Sequence, residues 1–217
     1  MKKIVKSKEP TSLTTYRGSI SKADLAKFEK FDTAPTDVKN DLRNYLLEEQ
    51  GFICCYCMNR IQFRNSKIEH FKPRSLFRVE QLDYNNLFVA CLGGQGNSPS
   101  SQTCDTKKDN DILENIYLLR NIEKDIEYKK DGFIFSENSH IDIEINEILN
   151  LNYKILQNNR KQALVELRSN LKDWKIPTLK FNLNKYQNKN SKGKYRPYCQ
   201  MIVYFLTKKL KQKGITA

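Results

Sequence analysis

Three cysteines in four positions, Cys54, Cys55 and Cys57, are followed shortly by an adjacent acid and histidine, Glu69 and His70. Cys-x-x-Cys at the tip of a hairpin presents two thiolates to one tetrahedral ion at about 2.3 Å each. Two further cysteines, Cys91 and Cys104, flank a loop containing Gly93, Gly94 and Gly96. Such a flexible loop lets residues far apart in sequence meet in space. The pattern predicts one structural zinc held by Cys54, Cys57, Cys91 and Cys104, with all four positions filled and none open for chemistry. Four buried free thiols are the plain alternative. Cys55 falls inside the x-x slot and is assigned to packing, as is Cys199 near the C-terminus. Five of the six cysteines lie between positions 54 and 104. In a chain read as cytoplasmic, that clustering favours metal over disulfides.

The elements that must position these residues are partly visible in the pattern. Residues 1–20 read as extended. SKADLAKFEKF, from Ser21, reads as a short helix with a serine cap, and TDVKNDLRNYLLEEQG as a second, with Val38, Leu42, Tyr45 and Leu46 at helical spacing and Gly51 beyond its end. FICCYCMNRIQF reads as strand, knuckle, strand. YNNLFVAC reads as a loop running into a short strand, CLGGQGNSPSSQTC as a loop, and CDTKKDNDILENI as helical. IEKDIEYKKDGFIFS reads as a hairpin turning at Lys-Asp-Gly. Residues 143–173 read as one long helix, with Ile145, Ile148, Leu149, Leu151, Ile155 and Leu164 available for packing. NLNKYQNKNSKGKYRPY reads as a basic loop, and YCQMIVYFLTKKLKQKG as a final amphipathic helix. On a strand Glu69 and His70 point to opposite faces unless the chain bends there. His140 stands without polar company and is read as a loop residue, while Tyr84 and Phe71 are read as core.

The 217 residues carry 38 Lys/Arg against 25 Asp/Glu, a formal net charge of +13. The excess is uneven: residues 151–217 hold 16 basic and 2 acidic residues, and residues 1–150 hold 22 and 23. A basic C-terminal third predicts a polyanionic partner, nucleic acid foremost, with Trp174, Tyr195, Arg196 and Tyr198 among its lysines. No apolar run reaches the roughly 18 residues of a membrane span. The first residues lack an apolar signal region, so the expectation is a cytoplasmic protein that does not meet a membrane.

Taken together as an ordered set, CxxC, IEHFKP, YNNL and a terminal cysteine followed by Asp-x-x-Lys in CDTKK resemble the zinc-stapled HNH endonucleases with a ββα-metal core. The likeness covers about residues 50–112. It implies an HNH core with a zinc knuckle over 51–115; with the elements read from the pattern, an N-terminal arm and helices over 1–50 and a hairpin plus a mostly helical basic region over 116–217, the expected fold is α+β. It implies that His70 is the general base that deprotonates a water for attack on phosphorus. Glu69 and Asp105 would ligate a catalytic Mg²⁺ or Mn²⁺, and Asn86, or in principle Asn85, would orient the histidine through its carbonyl. Lys108 would contact phosphate, with Lys72 and Arg74 as further substrate contacts. The pattern departs from the family at Asp105, where His or Asn is commoner, at the long second cysteine loop, and at Asp109, where Gly is common. A non-catalytic zinc-knuckle binding module is the competing expectation.

The flanking segments MKKIVKSKEPTSLTTYR, LEEQGFICCYCMNRI, NEILNLNYKILQNNR and YFLTKKL narrow the resemblance to the HNH subunits of Septu-type antiphage systems, including retron-associated ones. That likeness implies an ABC/SMC-like ATPase partner. Through such a complex it also implies a retron reverse transcriptase and its msDNA. The basic C-terminal segment could as easily dock on an acidic face of that ATPase as on nucleic acid.

Overall fold

The computed structural model describes residues 1–27 and 29–215. Phe28, inside the first predicted helix, lies outside the described residues. The chain is α+β, with two small antiparallel sheets among helices. No helix among the described residues is long and apolar enough to cross a membrane.

The N-terminal region is more helical than its composition predicts. Helix α1 spans Thr11–Gly18, where an extended arm was expected. Its Ser/Thr-rich sequence has weak intrinsic propensity, so the helix depends on context. Pro10 opens it at φ −65°, Leu13 is buried, and Arg17 closes on Glu9 through two bonds of 2.6 and 2.8 Å. Helix α2 covers Lys22–Lys27, with the Ser21 hydroxyl accepting from the Asp24 N–H at 3.0 Å as predicted for a cap. Helix α3, Thr36–Glu49, buries Val38, Leu42, Leu46 and Leu47, while Tyr45 stays exposed.

Strands β1 (Ser66–His70) and β2 (Leu87–Cys91) pair antiparallel, with Ser66 opposite Cys91 and His70 opposite Leu87. Helix α4, Cys104–Lys108, packs on β2. It stops well short of the predicted extent because Asp109 turns to φ +47°. The predicted strands around the knuckle reduce to one bridge, Ile53 to Arg60. Phe52 and Met58 adopt positive φ there, so the chain coils around the sulfurs instead of extending.

The C-terminal region differs most from expectation. The predicted single helix over 143–173 is broken. Helix α5 (Ser139–Ile143) carries the exposed His140, placing that residue on a helix and not in a loop. A π-turn follows over Glu144–Ile148, the chain reverses at Asn150 with φ +47°, and helix α6 runs Lys154–Asn170. The cause is a buried acid: Glu144 turns inward and accepts from the backbone N–H groups of Glu114, Asn115 and Ile116, each at 2.8 Å. Leu149 and Leu151 flank the reversal and are fully buried, whereas Ile155 is 60% exposed. Helix α7, Ile176–Gln187, takes in the start of the predicted basic loop because Leu179 and Leu183 pack toward α8, Cys199–Lys211. Cys199 is core, as expected.

Strands β3 (Glu127–Tyr128) and β4 (Ile134–Phe135) form the predicted hairpin. Its tip presses onto α6: Gly132 sits at φ +91°, and a Cβ there would lie 2.1 Å from the Gln157 carbonyl. The buried Arg160 locks this contact, donating to the Gly132 carbonyl at 2.6 Å and to that of Leu151 at 2.8 Å. Gly132→Ala is therefore expected to destabilise the protein by about 3 kcal/mol, through the clash and the left-handed backbone together. A urea titration reads this as a fall in midpoint with unchanged slope.

Candidate metal centre and catalytic cleft

The sulfurs of Cys54, Cys57, Cys91 and Cys104 all lie within 4.8 Å of one another. Among the described residues they form the only group of three or more His, Cys, Asp or Glu side chains so arranged. Cys57 and Cys91 sulfurs are 3.8 Å apart, about the edge of a tetrahedron with 2.3 Å metal–sulfur bonds. The knuckle is held by its own backbone: Cys54 N–H donates to the Asn59 carbonyl at 3.0 Å, and Met58 N–H to that of Cys54 at 3.0 Å. The Asn59 N–H points at the Cys57 sulfur, 3.5 Å away. The long second loop closes where Thr103 N–H meets the Gly93 carbonyl at 2.9 Å, an approach only glycine allows. Burial works to raise the Cys54 thiol, but hydrogen bonds from Cys104 and its other sulfur neighbours outweigh it and hold the group well below its ordinary value. Cys54 and the other sulfurs push Cys104 up, and Cys57, which Cys104 acts to lower, is raised on balance by Cys54 and Cys91, so without a cation the crowded group keeps its negative charge on Cys54. Four sulfurs converging at this spacing fit a soft tetrahedral metal ion. Cys55 is buried but lies outside the group, and burial, helped by the neighbouring Cys54, pushes its thiol up.

Next to this centre, β1 and α4 bring two carboxylates together. Glu69 lies at 2% exposure and accepts from the Tyr56 hydroxyl at 2.6 Å and the Lys108 ammonium at 3.0 Å. Asp105, directly after the last cysteine, pairs with Lys67 at 2.6 Å. Burial pushes the Glu69 carboxyl well above the usual carboxylate range, and the adjoining Asp105 adds to the rise. Burial acts to raise Asp105 too, but its hydrogen bond with Glu69 and the Lys67 ammonium outweigh it and leave it below its ordinary value. The two carboxyls thus shift in opposite directions, Glu69 upward and Asp105 downward, each with an ammonium beside it. Two converging hard oxygens fit a divalent cation that takes its remaining ligands from water and phosphate, as Mg²⁺ does.

His70 ends β1 and shares the cleft. It stacks edge-on against Phe31, ring centroids 4.5 Å apart, and its Nε2 lies 3.0 Å from the Gln81 carbonyl. A carbonyl only accepts, so Nε2 carries the hydrogen and Nδ1 the lone pair. Burial lowers the ring to about 4, with the Gln81 contact opposing, so the imidazole is neutral at neutral pH. Glu69, His70, Arg74 and Asp105 line one cleft of about 680 Å³. The neighbours on the strand therefore serve one site, Glu69 turned toward α4 and His70 toward Phe31.

The remaining predicted residues fall in several places. The Asn86 carbonyl accepts from Phe71 N–H at 3.0 Å. Its side chain accepts from Lys72 N–H at 2.7 Å and donates to the carbonyls of Lys72 and Glu80 at 3.1 and 3.2 Å. Asn86 thus braces the segment that carries Gln81, and Gln81 makes the carbonyl contact to the ring. Asn85 is exposed. Lys108, expected at a phosphate, is 1% exposed and turned inward by the Glu69 carboxylate. Lys72 pairs with Glu80 at 2.7 Å and Arg74 with Asp32 at 2.7 Å. Sequence reasoning missed Gln81, Tyr56 and Lys67. Tyr56 alone left a trace, as the aromatic inside the cysteine knuckle.

No family model matches the chain. It is 30% identical over 140 residues to the protein named "Retron Vc95 putative HNH endonuclease" from Vibrio cholerae serotype O1 biovar El Tor. The alignment takes in 60% of this chain and 66% of that protein, just under two thirds of its length. A likeness of this extent supports kinship with HNH endonucleases and nothing narrower.

Proposed function

We propose that this protein is a divalent-cation-dependent HNH endonuclease that hydrolyses phosphodiester bonds in nucleic acid. The observation that carries the reading is the convergence of Glu69, Asp105 and a neutral His70 in one cleft beside the four-cysteine centre. In this reading β1, β2 and α4 are the ββα-metal core and the four cysteines hold a structural zinc. Glu69 and Asp105 would hold the catalytic Mg²⁺ or Mn²⁺ through their carboxylate oxygens, in place of their present ammonium partners Lys108 and Lys67. The bound cation supplies charge stabilisation at the scissile phosphate and the leaving oxygen. His70 takes a proton from the attacking water at Nδ1, while the Gln81 carbonyl holds the Nε2 hydrogen and supports the imidazolium that forms. Phe31 keeps the ring from turning. Arg74 and Lys67, which line the cleft, are the cations available to the substrate backbone.

The name of the retron relative and the flanking likeness support a finer setting: a cytoplasmic antiphage effector of the Septu kind, held in check by an ABC/SMC-like ATPase and linked through that complex to a reverse transcriptase and its msDNA. One observation favours a second reading. Both carboxylates already face an ammonium group, as they would in a charge-balanced zinc-knuckle binding module without catalysis.

The deciding assay incubates labelled duplex DNA, single-stranded DNA and total tRNA with Mg²⁺ or Mn²⁺, with the ATPase present and absent. Wild type is expected to cut at least one of them, and Asp105→Asn, which keeps shape and loses charge, to cut about a hundredfold more slowly. Wild type that cuts in no arm, or Asp105→Asn that cuts at the wild-type rate, would leave the binding module as the better account.

A further inference from the structure

Two open clefts lie on the basic C-terminal face, and neither shares a lining residue with the catalytic cleft. The first, about 950 Å³, lies between the β3–β4 hairpin, α6 and α8. Its rim carries Lys129, Lys130, Arg168, Lys208, Lys209 and Lys213 against a single acid, Asp131. Among the described residues none of these six cations is within ion-pair distance of a carboxylate. Trp174, the only tryptophan of the chain, stands in this cleft at 42% exposure.

The second cleft, about 970 Å³, has one lining residue in common with the first, the buried Leu167 of α6. Phe181 projects there at 69% exposure. Lys172, Lys185 and Arg196 line this cleft against one acid, Glu166, with the amides of Asn159 and Asn182 beside them. Of the residues expected to grip a polyanion, Trp174 and Arg196 are on this surface, Tyr198 lines the floor of the second cleft but is buried, and Tyr195 is half-buried against Gly51.

Unpaired cations that follow a track, with exposed rings set along it, are the chemistry of single-strand binding. Phosphates meet the cations, and any base can stack on a ring. A duplex hides its base faces, so it would reach the cations and leave the rings bare. An acidic protein segment would satisfy the charges and would have no use for open ring faces flanked by side-chain amides. We propose that the two clefts beside the α6–α7 junction bind single-stranded nucleic acid, with bases stacked on Trp174 and Phe181. The proposal names the form of polymer that the nuclease reading leaves open, and rests on that reading for its purpose.

The test measures fluorescence anisotropy of labelled oligothymidylate and oligouridylate of roughly 20 nucleotides, without added Mg²⁺ or Mn²⁺ so that cleavage plays no part. Wild type is expected to bind these strands more tightly than a duplex of equal length. The arm that binds tighter identifies DNA or RNA. Trp174→Ala is expected to weaken binding about tenfold and Trp174→Phe, which keeps a ring, much less. The double variant Lys208→Gln/Lys209→Gln is expected to reduce the logarithmic salt slope by about 1.4. Affinity unchanged in Trp174→Ala, tighter binding of duplex, or displacement of the strand by polyglutamate at equal charge would each overturn the proposal, the last in favour of an acidic protein. The two readings fail separately. Strand binding without cleavage sinks only the nuclease, and cleavage with Trp174→Ala binding normally sinks only the track.

Discussion

His70→Ala is expected to lower the rate of phosphodiester cleavage by about 10²–10⁴-fold, the range lost with a general base, while the protein still folds and still binds its structural metal. The second half of that expectation follows from where His70 sits. It ends β1 with its side chain on Phe31 and the Gln81 carbonyl, and its sulfur neighbours belong to other segments. Truncation leaves a small cavity and one carbonyl without its donor, a cost of about 1–3 kcal/mol. Circular dichroism and metal content should therefore match wild type while single-turnover cleavage does not. A variant that loses rate and metal together would refute the separation of the two sites.

The pH profile gives a second reading of the same residue. With the ring lowered to about 4, the neutral base persists as pH falls through the ordinary imidazole range. At saturating cation the acid limb of the wild-type rate should then lie near pH 4, well below 6.5. Glu69 shifts the other way, upward, and must lose its proton to ligate. Cation affinity should therefore weaken as pH falls, and at limiting cation the limb should move to higher pH.

Stripping the four-cysteine centre should be more drastic. Structural zinc sites contribute about 10–16 kcal/mol at neutral pH, against about 5–15 kcal/mol for the whole stability of a typical domain. Cys57→Ala is expected to give a chain that does not unfold cooperatively, and a strong chelator to do the same to wild type, with zinc released at a single equivalent. Cys55→Ala is the matched control. It is as buried but lies outside the sulfur group, so it should cost only about 1–2 kcal/mol. Equal losses in the two variants would mean four packed thiols and no metal.

What the sequence disclosed and what it hid divide along physical lines. The sulfur group was legible because only a few residue types bind soft metals, and because Cys-x-x-Cys fixes its own geometry. The hairpin at Gly132 and the helix over Thr36–Glu49 were legible because turn chemistry and apolar spacing act locally. Gln81 was hidden because it works on His70 through a backbone carbonyl, which every residue possesses. The inward turn of Lys108 was hidden because it depends on Glu69, distant in sequence and close only after β1 and α4 meet. The break after α5 was hidden because apolar periodicity continues through it, and only the capture of three N–H groups by Glu144 decides the matter. Helix α1 was hidden because contacts with α3 and the Arg17–Glu9 pair override a poor local preference.

Cys104 and Asp105 are consecutive residues, and Cys91 closes the strand paired with the one that carries Glu69 and His70. Under the nuclease reading, the fourth sulfur along the chain, once captured, also brings the second metal-binding carboxylate into the cleft. A newly made or metal-starved chain would then carry all the residues of a nuclease and no assembled active site. Toxicity to the host would begin only with maturation, and the cell's supply of metal would act as a safety catch that precedes any control by a partner.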